Sequence, residues 1–141
     1  MFGLAALVTA AIFFGAAVYI NIAEHPARLG LSDGPALAQW GPSYKRGFAM
    51  QATVAVVSGI LGAAAWWTSG QFLWLAGAVV IVANWPFTLF CIMPTNHLLE
   101  ATPAKGDAQT RTRLICWGRL HAMRSALGGL ATIIYLLAAS S

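Results

Sequence analysis

Charge is what this chain has least of. Only 9% of its 141 residues are charged, and no Asp, Glu, Lys or Arg falls in 1–23, 47–99 or 125–141. A water-soluble domain of this size would lack the polar side chains to cover its surface. A hydrophobic content of 59% and a mean hydropathy of +0.71 instead describe a chain that lives in lipid. There is no repeat at a fixed period, no low-complexity tract and no polar stretch long enough for a soluble domain. The two cysteines, Cys91 and Cys116, form no CxxC pair, so redox chemistry has little support and small apolar packing is the plainer expectation. The first apolar run lacks a basic segment ahead of it, and "YINIAEHPAR" makes a poor cleavage site. That run is therefore expected to stay as a span.

What is present is four apolar runs, expected as spans at 2–23, 44–67, 72–95 and 114–137, each close to the roughly 20 residues a bilayer requires. "TSGQ" at 68–71 suits a tight turn between the second and third. The expected fold is all-α, an antiparallel four-helix transmembrane bundle forming a single domain over 1–141. The two long connections, 24–43 and 96–113, then lie on one side of the bilayer.

All eight basic residues (Arg28, Lys45, Arg46, Lys105, Arg111, Arg113, Arg119 and Arg124) sit in those connections or on the helices entering from them. By the positive-inside rule that face is cytoplasmic and both termini are on the non-cytoplasmic side. The net charge of +4 is thus a topological signal. It is no sign of nucleic-acid binding, which would need a basic stripe with interleaved aromatics on a soluble face. The expected partners are the lipid bilayer and a lipophilic small molecule. A homo-oligomer or a place in a larger membrane complex is left open.

Polar residues in a span face other helices or a cavity, because lipid cannot satisfy them. On the fourth span Trp117, His121, Arg124 and Gly128 share one helical face, and the third gives Asn84, Thr88, Cys91 and Thr95. The second gives Tyr44, Phe48, Gln51, Ala55 and Ser58; the first gives Ala17, Asn21, Glu24 and Arg28. Four such stripes predict one intramembrane cavity, opening toward the basic end. The competing reading makes these residues glue between helices, which fits Thr88, Ser58 and Gln51 as well as a cavity does. Glue fits Arg124 less well. It lies roughly 15 Å inside the boundary near Arg113, where an arginine costs about 2.5–3.5 kcal/mol on insertion scales.

"NWPFTLFCIMPTN", 84–96, carries two prolines, two asparagines and two threonines inside an apolar run. Pro86 cannot bond to the carbonyl of Val82, so a kink is expected beside Asn84, whose amide could serve either the kink or a ligand. Pro94 should disturb the helix again near its exit, with Thr95 and Asn96 capping the loosened backbone. Pro26 is expected to end the first helix.

Among ionisable groups, His121 lies one turn from Arg124, and a buried cation nearby suits a neutral imidazole that can accept a proton. Glu24 lies on its stripe with Asn21 and Arg28 and is expected to pair with Arg124 or Arg46. His25, its neighbour, then points away. His25, His97 and His121 could in principle meet at a metal, but no HxxxH or HExxH spacing supports that, and no metal or other cofactor is expected. Trp66, Trp67 and Trp74 suggest an aromatic belt at the far interface. Trp40 and Tyr44 suit either a belt or the lid over a flat ligand.

Taken together, "EHPAR" ending the first span, the tryptophan and "YKRG" before the second, "NWPFTLFCIMPTN" in the third and "WGRLHAMRSALG" in the fourth resemble the anthrone oxygenase-like family of small four-span membrane proteins. The resemblance covers nearly the whole chain. It implies oxidation of an anthrone- or quinone-like aromatic by molecular oxygen without an organic cofactor, and a bacterial inner-membrane location. Under that reading His121 is the base and Arg124 stabilises the resulting anion. Glu24 orients His121 or balances Arg124, and Asn84 holds a carbonyl oxygen. Trp117 and Tyr44 sandwich the ring, while Gln51, Asn21, Thr88 and Asn96 line the pocket. The alternative is a non-catalytic subunit that holds a lipid, quinone or pigment in the same cavity.

Overall fold

In the computed structural model, which describes every residue from Met1 to Ser141, the chain forms four long helical rods and no strand: α1 Phe2–Leu29, α2 Asp33–Ser69, α3 Phe72–Glu100 and α4 Thr110–Ser140. All four are long and apolar enough to cross a membrane, as an integral membrane protein requires. α1 packs on α2 and α4, and α3 packs on the same two. The diagonal pairs barely touch, so the rods form a square all-α bundle.

The rods run past the apolar segments that announce them. Most of the expected 24–43 loop is helical, interrupted only at residues 30–32. Arg111 holds that interruption from α4: its Nη1 donates to the Leu29 carbonyl at 2.6 Å, its Nη2 to the Leu31 carbonyl at 2.6 Å, and it pairs with Asp33 at 3.0 Å. The carbonyls left at the end of α1 thus gain charged donors. Between α2 and α3, Gly70 takes a φ of 71° and donates its N–H to the Trp66 carbonyl, a left-handed cap that glycine adopts without steric penalty.

The end carrying both termini is packed tightly. Ala6, Ala10, Ala65, Trp74, Tyr135 and Ala138 form one core layer, with Phe13, Ala17, Ala55, Ile81 and Ala131 beneath it. Tyr135 enters against Gly62 and Gly77, where any Cβ would collide with its ring, and its hydroxyl donates to the Ser58 carbonyl at 3.1 Å. Trp74 is only 7% exposed and belongs to this core, not to an interfacial belt, because Gly3 leaves room for its ring. Trp67 is exposed as expected of a belt residue. Trp40 is buried at the other end, stacked on Tyr44 at 5.1 Å.

Two segments depart from α-helical bonding, Ile20–Glu24 in α1 and Thr88–Ile92 in α3. Each ends two residues before a proline, Pro26 and Pro94, and each closes with an i→i−5 bond: His25 N–H to Ile20 and Met93 N–H to Thr88. The proline has no N–H to give, and the wider π turn re-partners the carbonyls around it while the helix continues. Pro26 therefore does not end α1. Each π turn also adds a residue to the helical phase. The inward face of α3 runs Asn84, Thr88, Ile92 and Asn96, and Cys91 is turned outward. On α1 it runs Ala17, Asn21, His25 and Arg28, so His25 is buried where Glu24 was expected. Cys116 is also exposed, so neither cysteine packs inside.

Candidate functional site

Between the tight layers and the Trp40–Trp117 layer at the basic end lies a polar stratum drawn from all four rods. α4 contributes His121, Arg124 and Ser125, α2 contributes Gln51, α3 contributes Asn84 and Thr88, and α1 contributes Asn21; all but Asn21 are buried. Two small cavities flank Arg124. One, about 20 Å³, is lined by Tyr44, Gln51, Trp117, His121 and Arg124 among others; the second, about 10 Å³, by Ala52, Asn84, Thr88 and Arg124 among others. The stripes thus converge, but on space for about one water in each cavity. That is far below the 300–1,000 Å³ or so of a small-molecule pocket.

Arg124 has no carboxylate. Each of the four acids is engaged by another cation: Glu24 by Arg28, Asp33 by Arg111, Asp107 by Arg113 and Glu100 by Lys45. The Arg124 guanidinium lies over the Phe13 ring at 5.3 Å, and its Nε is buried without a hydrogen-bond partner. The pairing of Glu24 with Arg124 or Arg46 is therefore corrected. Glu24 turns to its own helix, where Arg28 at i+4 reaches it at 2.5 Å, and it also accepts from Gln39 and Ser43.

Nor does Glu24 orient His121. Asn21 does. The Asn21 Nδ2 donates to the Gly118 carbonyl at 3.1 Å, which turns its Oδ1 toward His121 Nδ1 at 3.0 Å and the Ser125 hydroxyl at 2.6 Å. An amide oxygen only accepts, so Nδ1 carries the hydrogen and Nε2 is left to take a proton. Gln51 has both amide atoms buried without partners, and Asn84 has an unpartnered Oδ1. Buried amide groups left open cost about 1–3 kcal/mol each, the pattern of a site awaiting a ligand or ordered water.

Other expected residues sit differently. Asn84 uses its Nδ2 on the Ile81 carbonyl at 3.1 Å beside the break at Ala83, so one amide serves both the kink and the cavity. Thr88 donates to the Asn84 carbonyl at 2.7 Å within α3. Asn96 caps no backbone; its Oδ1 accepts from Trp117 Nε1 at 2.9 Å. Trp117 and Tyr44 both line the larger cavity but leave no slot for a ring. Tyr44 is stacked on Trp40, and Trp117 is flanked by His25 at 5.3 Å and His121 at 5.1 Å.

His25 was the residue to add. Its Nδ1 faces Arg28 Nη1 at 3.1 Å, and since a guanidinium only donates, Nδ1 must accept. Gly118 makes the room for its ring. The sequence signal was Pro26, read as a helix end when it marked a π turn. His97 is exposed on α3, well apart in environment from the two buried histidines, and no three His, Cys, Asp or Glu side chains are grouped as metal ligands would be.

The family model for anthrone oxygenase matches residues 40–134, well over half the chain, with Gln51, Asn84, His121 and Arg124 inside the match. The chain belongs to the anthrone oxygenase family. Membership suggests an oxygenase-like function. Asn21, Glu24, His25 and Arg28 lie ahead of the matched region, so the residue that orients His121 is supplied from outside it. No curated protein and no solved structure matches the chain.

Proposed function

We propose that the protein is a cofactor-independent oxygenase acting on a lipophilic anthrone- or quinone-like aromatic at the polar stratum. The observation that carries this is Arg124: a buried guanidinium without a carboxylate, one turn from a histidine whose free nitrogen can accept a proton. His121 Nε2 takes the acidic ring proton. Arg124 balances the charge that appears on the substrate oxygen, in a low-dielectric site where a fixed cation is worth far more than in water. The anion passes one electron to dioxygen, and the carbon radical and superoxide combine to a peroxide. Loss of water then leaves a carbonyl, so a ring CH₂ and O₂ become C=O and H₂O. Gln51, through its open Nε2, would donate to an oxygen-bearing group of this sequence, whereas the open Oδ1 of Asn84 only accepts and suits a substrate hydroxyl or the hydroperoxide, not the carbonyl oxygen first expected of it.

The open amide atoms of Gln51 and Asn84 equally suit a second reading, a binding subunit that performs no chemistry. Oxygen uptake with anthrone separates the two. The oxygenase reading expects uptake by the wild-type protein in lipid and its loss in His121→Ala; no uptake above the rate without protein would leave the binding reading standing.

We also infer that the basic end is cytoplasmic and the membrane a bacterial inner one, supported by the placement of all eight basic residues. Lys105→Cys in a chain with Cys91→Ser and Cys116→Ser should then label with an impermeant thiol reagent only after the cells are opened.

A further inference from the structure

A groove of about 720 Å³ runs between α1 and α2. Its walls are apolar at Ala16, Tyr19 and Met50, and Tyr19 and Met50 are half or more exposed on the bundle's outer surface. Glu24, Gln39, Ser43 and Arg46 line it toward the basic end. Three further facts connect it to the polar stratum. Ile20, Ser43 and Gly47 line both this groove and the cavity that holds His121 and Arg124, so the two spaces stand back to back across a partition of these residues. Gly47 leaves the partition thin, since a Cβ there would meet only the Ile20 Cδ1, at 3.9 Å. Ile20 opens the π turn of α1, the segment where that helix departs from regular bonding.

We propose that this groove is the docking site of the substrate's ring system, a flat lipophilic aromatic bearing a hydroxyl or carbonyl group, which enters from the bilayer and passes its reactive edge between Ile20 and Gly47. This rests on the oxygenase reading for the chemistry, though not for the docking itself. Size decides where the rings go: cavities of about 20 and 10 Å³ cannot hold them, and the groove can. Composition decides what they carry. Glu24 and Gln39 are already bonded to each other and to Arg28, but a plain acyl chain would leave the Arg46 guanidinium facing hydrocarbon, whereas a phenol or ketone gives it a hydrogen-bond partner.

The test uses the full chain in lipid nanodiscs with anthrone as probe. In a Cys91→Ser, Cys116→Ser background, Met50→Cys places a thiol on the groove wall, and its alkylation rate is measured with anthrone or with a long-chain saturated alcohol. Separately, anthrone-dependent oxygen uptake is measured for Gly47→Phe. The proposal expects anthrone, and not the alcohol, to slow alkylation. It expects Gly47→Phe, which plugs the partition, to lose about tenfold or more in turnover. Equal protection by the alcohol would mark a cleft for lipid tails, and absence of protection by anthrone would end the docking claim even with turnover intact. Protection without oxygen uptake in any chain would uphold the docking and remove the oxygenase reading instead. The alkylation measurement needs no Gly47 variant, so it decides the matter even where Gly47→Phe fails to fold.

Discussion

The two ends of this bundle handle buried polar groups in opposite ways. At the end bearing the termini, the Ser58 hydroxyl donates to the Ala6 carbonyl at 3.0 Å and the Tyr135 hydroxyl to Ser58's own carbonyl at 3.1 Å, each bond joining two rods. Toward the basic end, Gln51, Asn84 and Arg124 leave polar atoms open around two small cavities. Both sets lie on inward stripes, and their spacing in the sequence is alike. Their bonding separates glue from site: glue is satisfied within the protein, and a site holds back donors and acceptors for something else.

That contrast is best broken by substitution, and the largest effects should fall on turnover. Arg124→Ala should lower anthrone-dependent oxygen uptake by about 100-fold or more while folded protein is still recovered, the scale of losing one preorganised donor to a transition-state anion. Asn21→Ala should come next. It frees the His121 tautomer without touching the substrate, so it should lower turnover by about tenfold and shift the pH–rate profile, which a purely structural role would leave in place.

Stability should respond in the other half. Tyr135→Phe should lower the thermal midpoint by removing a buried bond worth about 1 kcal/mol, with turnover per folded molecule unchanged. Gln51→Leu sharpens the comparison because it should do the reverse: a midpoint equal to or above wild type, with reduced turnover. Reduced stability in Gln51→Leu would mean the amide is already satisfied by water and acts as glue.

The smallest effect belongs to the exposed loop. Desolvation pushes the Asp107 carboxyl upward, but the Gln109 N–H, the Thr110 hydroxyl and Arg113 outweigh it and hold its pKa below the ordinary value. A carboxylate lowered on folding adds stability that is fully present above its unfolded pKa and fades as pH falls through the folded one. Asp107→Asn should therefore cost a little stability at neutral pH and nothing in strongly acid solution.

Much of this fold is legible in the residues. The runs without charge mark the four rods, and Trp117, His121, Arg124 and Gly128 at a strict helical period all prove buried. What misleads is proline. A period of 3.6 carried through Pro26 and Pro94 places Glu24 and Cys91 inside, whereas the π turns ahead of both prolines put His25 and Ile92 there. Helix patterning presumes regular backbone bonding, and the π turns ahead of Pro26 and Pro94 shift the phase by one residue, whereas Pro42 sits inside α2 without one. The role of Asn21 was hidden for a different reason. Its partner is 100 residues away on α4, and only the packing of α1 on α4 brings them together.

The central claim is that His121 and Arg124 act as one unit on an anion. It is tested most directly by product formation per mole of folded protein for His121→Ala, Arg124→Lys and the double variant. If His121 creates the anion that Arg124 holds, either loss leaves the other residue with little to do, and the double variant should be scarcely worse than the poorer single one. Arg124→Lys should itself fail largely, because an ammonium lacks the planar fork that can hold two oxygens. Near-wild-type turnover in either single variant, or losses that simply multiply in the double, would contradict the account.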